Sequence, residues 1–213
     1  MMSFYRLAWS VLAAVLLAAG AAQAHPHVWI QVKSELVYAP DGSATGVRHH
    51  WTFDEMFSTF ATQGIQAKAG GALTREDLAP LAEVNITSMK DFQFFTFALA
   101  DGKRFGFKEP TDYWLEQKDG ALTLHFMLPF AAPTKAKQLS LEIYDSTYFV
   151  DFALAEKDPA ALVSAPAACK LAVYNPRGKN DAAAPLPSET MFEKGAAGNY
   201  GAQFSNKIAV NCP

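Results

Sequence analysis

His25 and His27 flank Pro26 in the stretch Ala24-His25-Pro26-His27-Val28-Trp29-Ile30, and imidazoles at this spacing are metal-binding groups. If cleavage makes His25 the first residue, its α-amine and its ring can chelate one ion together. His27, two residues along an extended chain, points to the same side and can supply a third nitrogen. Amine and imidazole nitrogens suit zinc, copper, nickel or cobalt rather than calcium or magnesium. Pro26 has no N–H to surrender, so the square backbone chelate that copper and nickel form at an amine terminus is blocked. Further ligands must come from elsewhere in the fold.

The second strand-like segment, Val47-Arg48-His49-His50-Trp51-Thr52-Phe53, offers them. His49 and His50 are adjacent and so point to opposite faces; at most one can face the terminal site. His50, Thr52 and Asp54 share one face, while His49 shares the other with Trp51 and Phe53. The expected metal set is therefore His25, His27, His50 and Asp54. Asp54 and Glu55 also stand where strand gives way to helix, which suits Asp54 equally to an N-cap. His49, Glu55, His125, Asp145 and Asp151 form a second tier. His125 alternates with Thr123 and Met127 and reads first as a strand histidine hydrogen-bonded to a neighbour. Asp145 and Asp151 flank a Tyr-rich segment, where carboxylates usually cap or solvate.

The free amine at His25 depends on processing. Arg6 precedes an apolar run from Leu7 to Ala22, and Ala22-Gln23-Ala24 is the small-x-small pattern that signal peptidase accepts. Residues 1–24 are expected to be a cleavable signal peptide and the protein to be periplasmic. No Lys/Arg stop-transfer cluster follows the run. Cleavage after Ala24 of the 213 residues leaves 189, enough for one domain, 25–213, with a sizeable core. The formal charge of −3 becomes −4 without Arg6, and no basic cluster suggests nucleic acid or an anionic membrane surface as partner. Cys169 and Cys212 are the only cysteines and, in an exported chain, pair most simply with one another.

Alternating apolar and polar residues predict a strand from His27 to Tyr38, a turn over Ala39–Gly46, and a second strand from Val47 to Phe53, the two forming a hairpin. From about 54 to 90 the pattern turns helical, broken at Gly70-Gly71, with Thr74 and Asp77 placed as a capping box. Strands then resume at Phe92–Ala100, Lys103–Glu109, Asp112–Gln117, Ala121–Phe130 and Gln138–Ala155, with Asp-Gly turns between several of them. Long loops with one strand at Lys170–Asn175 fill the Pro- and Ala-rich region from Ala155 to Pro187, and Ala202–Pro213 reads as a closing strand carrying Cys212. The expected fold is mainly β (α+β), an antiparallel β-sandwich or open barrel with a two-helix insertion between early strands.

His-Pro-His-Val-Trp-Ile after the leader, Arg-His-His-Trp-Thr-Phe-Asp-Glu-Met-Phe-Ser, Asp-Tyr-Trp-Leu-Glu, Leu-Thr-Leu-His-Phe-Met-Leu-Pro and Tyr-Asp-Ser-Thr-Tyr-Phe-Val-Asp-Phe occur in this order. The ordered set resembles the bacterial periplasmic family filed as domain of unknown function 1007. The resemblance implies a companion of nickel/cobalt or zinc transport systems and an inner-membrane permease as partner. It carries over to His25 and His27, to Trp51, Asp54 and Glu55, and to Tyr144, Asp145, Tyr148 and Asp151. Related sequences can hold an EF-hand-like loop before the second helix. The corresponding residues here, Gln66 to Asp77, place Gln66, Lys68 and Gly70 where calcium needs oxygen ligands, so calcium is not expected.

Taken together, the sequence leads us to expect a periplasmic accessory protein that buffers or delivers zinc, nickel or cobalt to or from a membrane transporter. The alternative is a non-metal module that docks a transporter or envelope partner. No nucleophile elbow or free thiol points to catalysis, and the protein is not expected to be an enzyme. The catalytic possibility is a copper oxygenase with a histidine brace, His25 joined by His125 or His50.

Overall fold

The computed structural model describes residues 26–68, 71–176 and 199–213. The leader 1–24, its cleavage point, His25, part of the Gln66–Asp77 loop and the region 177–198 lie outside these residues. The described chain is mainly β, with two sheets packed face to face and two helices at one side.

The first sheet is built on the long hairpin of β1 (Val28–Tyr38) and β2 (Ala44–Phe53). Strict alternation puts Val28, Ile30, Val32 and Leu36 inside and Trp29, Gln31, Lys33 and Glu35 outside. β5 (Thr111–Lys118) and β6 (Ala121–Thr134) extend it, giving the order β5-β6-β2-β1. The free edge of β1 is covered by two short strands placed end to end. β8 (Val150–Leu154) pairs with Val28–Val32 and β9 (Ala160–Val163) with Ser34–Val37. Both pairings are parallel, so the expectation of antiparallel pairing holds for the hairpins and fails at this edge. The chain reaches it from the second sheet rather than by a tight turn.

The second sheet has the order β10-β11-β7-β3-β4, from β3 (Thr96–Ala100), β4 (Lys103–Phe105), β7 (Gln138–Ile143), β10 (Lys170–Tyr174) and β11 (Asn206–Asn211). Trp51, fully buried, stands edge-on to Phe126 and Phe152 at ring separations of 4.9 Å each, and Phe95 closes the group. The disulfide forms between Cys169 and Cys212, tying the start of β10 to the residue after β11.

Two stretches expected as single strands are interrupted. Phe92–Phe95 belong to a 3-10 turn, Lys90–Phe95, and β3 starts only at Thr96. Phe94 and Phe95 are both buried, which strand alternation forbids to neighbours. A left-handed backbone at Gln93, Phe94 and Phe95 (φ 54°, 53° and 49°) directs both rings inward. Gln138–Ala155 divides into β7 and β8 in different sheets. Between them the Asp145 carboxylate accepts from the N–H groups of Thr147 (2.9 Å) and Val150 (3.0 Å), which folds the crossing into a turn.

The helices are α1 (Glu55–Ala61) and α2 (Arg75–Met89). Asp54 caps α1, and Thr74 with Asp77 forms the expected capping box on α2. α2 lies along β5 and buries Leu78, Ala82, Ile86 and Met89.

Candidate functional site: a carboxylate-backed histidine pair on the first sheet

His49 and His50 part to opposite sides of β2, as adjacent strand residues must. His49 is fully buried between the sheets. Its Nδ1 lies 2.9 Å from Ser34 Oγ and its Nε2 3.3 Å from Thr96 Oγ1, so one ring links the first sheet to β3 of the second. Burial, reinforced by the neighbouring His50, pushes its pKa down to about 3. This histidine belongs to the core.

His50 faces outward, where the register sets His125 of β6 directly opposite it. The two Nδ1 atoms are 2.6 Å apart. Each ring turns its other nitrogen toward a carboxylate. His125 Nε2 is 3.3 Å from Glu116 on β5, and His50 Nε2 is 3.9 Å from Glu35 on β1. Glu35 is itself held by Arg48 at 2.7 Å. Trp114, the β5 partner of His125, stacks on its ring at 4.7 Å and 9°, and Arg75 at the start of α2 lies 4.6 Å above the Trp114 ring. Burial lowers the pKa of both imidazoles. Glu35 opposes the effect at His50, where Arg48 and Lys33 add to it; at His125, Glu116 opposes while His50 and Arg75 add. The pair is thereby biased to the neutral form, which is the form that coordinates metals.

The other expected ligands lie at the end of the same face. Asp54 accepts from Phe57 N–H (2.8 Å) and from Trp29 N–H (3.0 Å), so it caps α1 and fastens it to β1. Asp151 is buried and pairs in register with Trp29; Trp29, Asp54, Glu55 and Asp151 border an open cleft of about 410 Å³. His27, exposed, sets its ring 4.6 Å from that of Phe149 at a tilt of 35°, and its backbone N–H donates to the Phe149 carbonyl. Asp145 is taken up in its turn. Four residue steps along the strand separate His50 from Asp54, roughly 13 Å at ~3.3 Å per step. The outer face therefore carries two groups: the His50–His125 pair at mid-sheet, and His27, Asp54, Glu55 and Asp151 at its end. Among the described residues, no three His, Cys, Asp or Glu side chains are gathered round one metal-sized point.

Sequence reasoning did not select Glu35, Glu116, Trp114 or Arg75. Glu35 and Glu116 sit on polar positions of alternating strands, and that signal is shared by every solvent-facing strand residue.

Fold and site together define a β-rich α+β sandwich whose solvent-facing sheet surface is lined with histidines and carboxylates. The chain belongs to the family described as "Protein of unknown function (DUF1007)", whose model matches residues 10–212. A Haemophilus influenzae protein described as "Uncharacterized protein" is similar to it, at 24% identity over 191 residues, covering 89% of this chain and 91% of that protein.

Proposed function

We propose that this is a periplasmic accessory protein that binds a late first-row metal ion, zinc, nickel or cobalt, and buffers it or passes it to or from an inner-membrane transporter. The observation that carries this reading is the His50–His125 pair on the outer sheet face, with Glu35 and Glu116 beside it. Imidazole nitrogens select these ions over calcium and magnesium. The leader sequence and the Cys169–Cys212 disulfide support an oxidising, exported location, and no described helix is long and apolar enough to cross a membrane. Calorimetric titration of the exported protein with zinc, nickel and cobalt, beside elemental analysis as purified, tests the proposal. Saturable uptake of at least one ion is expected; no uptake of any of them rejects it.

A non-metal docking role is favoured by one observation. Met56 and Phe60, four residues apart on α1, are 66% and 70% exposed, a paired apolar surface at the end of the histidine-bearing sheet. A protein that takes up no metal would leave this reading standing.

A further inference from the structure

We propose that the ion is held at mid-sheet by the Nδ1 atoms of His50 and His125, with Glu35 and Glu116 as positioning residues behind them, rather than at the His25-Pro26-His27 terminus. The inference rests on the metal-binding reading above and names the site within it.

Three features of the geometry converge. First, the two Nδ1 atoms already point at one another across adjacent strands, 2.6 Å apart. Zinc–imidazole bonds of ~2.0–2.1 Å at a tetrahedral angle require the nitrogens to stand roughly 3.3 Å apart. A small ring rotation, opening the pair by about 0.7 Å, admits the ion without moving either strand. Second, both Nε2 atoms face carboxylates. Metal-ligating histidines characteristically give their second N–H to such a group, which fixes the tautomer and makes the ligating nitrogen more basic. Third, His125 is clamped against Trp114, whose ring also lies under Arg75, so one ligand is held in orientation before any ion arrives.

The protons balance. Glu116 lies within hydrogen-bond reach of His125 Nε2, which places the His125 proton there and leaves its Nδ1 as an acceptor. The proton between the rings is then on His50 Nδ1. When the ion enters, that proton moves to His50 Nε2 beside Glu35, and two neutral imidazoles remain two neutral imidazoles. Protein atoms fill two coordination positions, and the side chains stay partly exposed, at 26% for His50 and 14% for His125. The remaining positions face solvent, so water fills them until an acceptor's ligands take over. That openness suits an ion in transit more than a permanently caged one.

The test uses the full chain, purified after export with its own leader. Zinc is titrated by calorimetry into wild type, His27→Ala, His50→Gln, His125→Gln and Glu116→Gln, with apo melting curves confirming that each variant folds. His27→Ala is expected to bind zinc as wild type does. His50→Gln and His125→Gln each lose 100-fold or more, and Glu116→Gln, which leaves both ligands in place, loses 10-fold or more. In wild type, long-range ¹H–¹⁵N histidine spectra show His50 changing from the Nδ1–H to the Nε2–H tautomer on zinc addition, a readout independent of how the variants fold. Wild-type affinity in His50→Gln and His125→Gln, loss of zinc in His27→Ala alone, or an unchanged His50 tautomer overturns the mid-sheet site while metal handling stands. A wild type that binds no zinc, nickel or cobalt overturns both.

Discussion

His49 and His50 show how far one backbone step changes an imidazole. The inward ring is shut between Ser34 and Thr96 and kept neutral by burial; the outward ring meets a second histidine and a carboxylate. The inward one makes the fold acid-sensitive. With a folded pKa of about 3 against an ordinary 6.5, the unfolded chain binds the proton that the folded chain refuses. Stability contributed by neutral His49 is complete above pH 6.5 and falls by about 1.4 kcal/mol per unit as the pH drops from 6.5 toward 3. His49→Gln keeps an amide between the two hydroxyls and cannot titrate. Between pH 6.5 and 5, thermal melts should show wild type losing roughly 1.5 kcal/mol more than the variant. Parallel pH profiles would reject His49 as the source. The opposite facing of the two histidines was legible from their adjacency. Their partners were not, because His125 lies 75 residues beyond His50 and only the β2–β6 register joins them.

At the scale of elements, the first sheet and the first helix are tied by the Asp54 carboxylate and by Ser58 Oγ, which accepts from Leu122 N–H of β6. The sequence suits Asp54 equally to cap or ligand, and its oxygens receive the N–H groups of Phe57 and Trp29. Asp54→Ala removes both acceptors and should cost about 1–2 kcal/mol, read as a lower denaturant midpoint with an unchanged slope. The β1–β2 hairpin and the Thr74–Asp77 box were legible because alternation and capping are local signals. The parallel strands β8 and β9 were not: nothing near Val150 or Ala160 says that β1 has an open edge for them. The turn at Phe92–Phe95 escaped for a related reason. Its aromatic composition favours a strand, and only the need to bury Phe94 and Phe95 together overrides that preference.

At the scale of the whole molecule, polar links join the two sheets across the core. His49 is one, and Asn206 is another, donating from β11 to the Phe152 carbonyl on β8 at 2.6 Å. The disulfide closes a span of 43 residues, which corresponds to about 4 kcal/mol of lost unfolded-state entropy. Reduction, or a Cys169→Ala/Cys212→Ala pair, should lower the melting temperature by roughly 10 °C in a domain of this size. A shift of a degree or two would mean that β10 and β11 hold without it. The pairing itself was legible from cysteine count and leader, whereas the positions of the two strands it joins, β10 at the rim of the sheet and β11 inside it, were not.

That placement sets an order of assembly. β11, the last strand of the described residues, slots between β10 and β7. Without it β10 has no partner strand and one edge of β7 stays open, while β7, β3 and β4 still pair with one another. The same insertion brings Cys212 beside Cys169, so the cross-link seals the sheet only once its inner strand is seated.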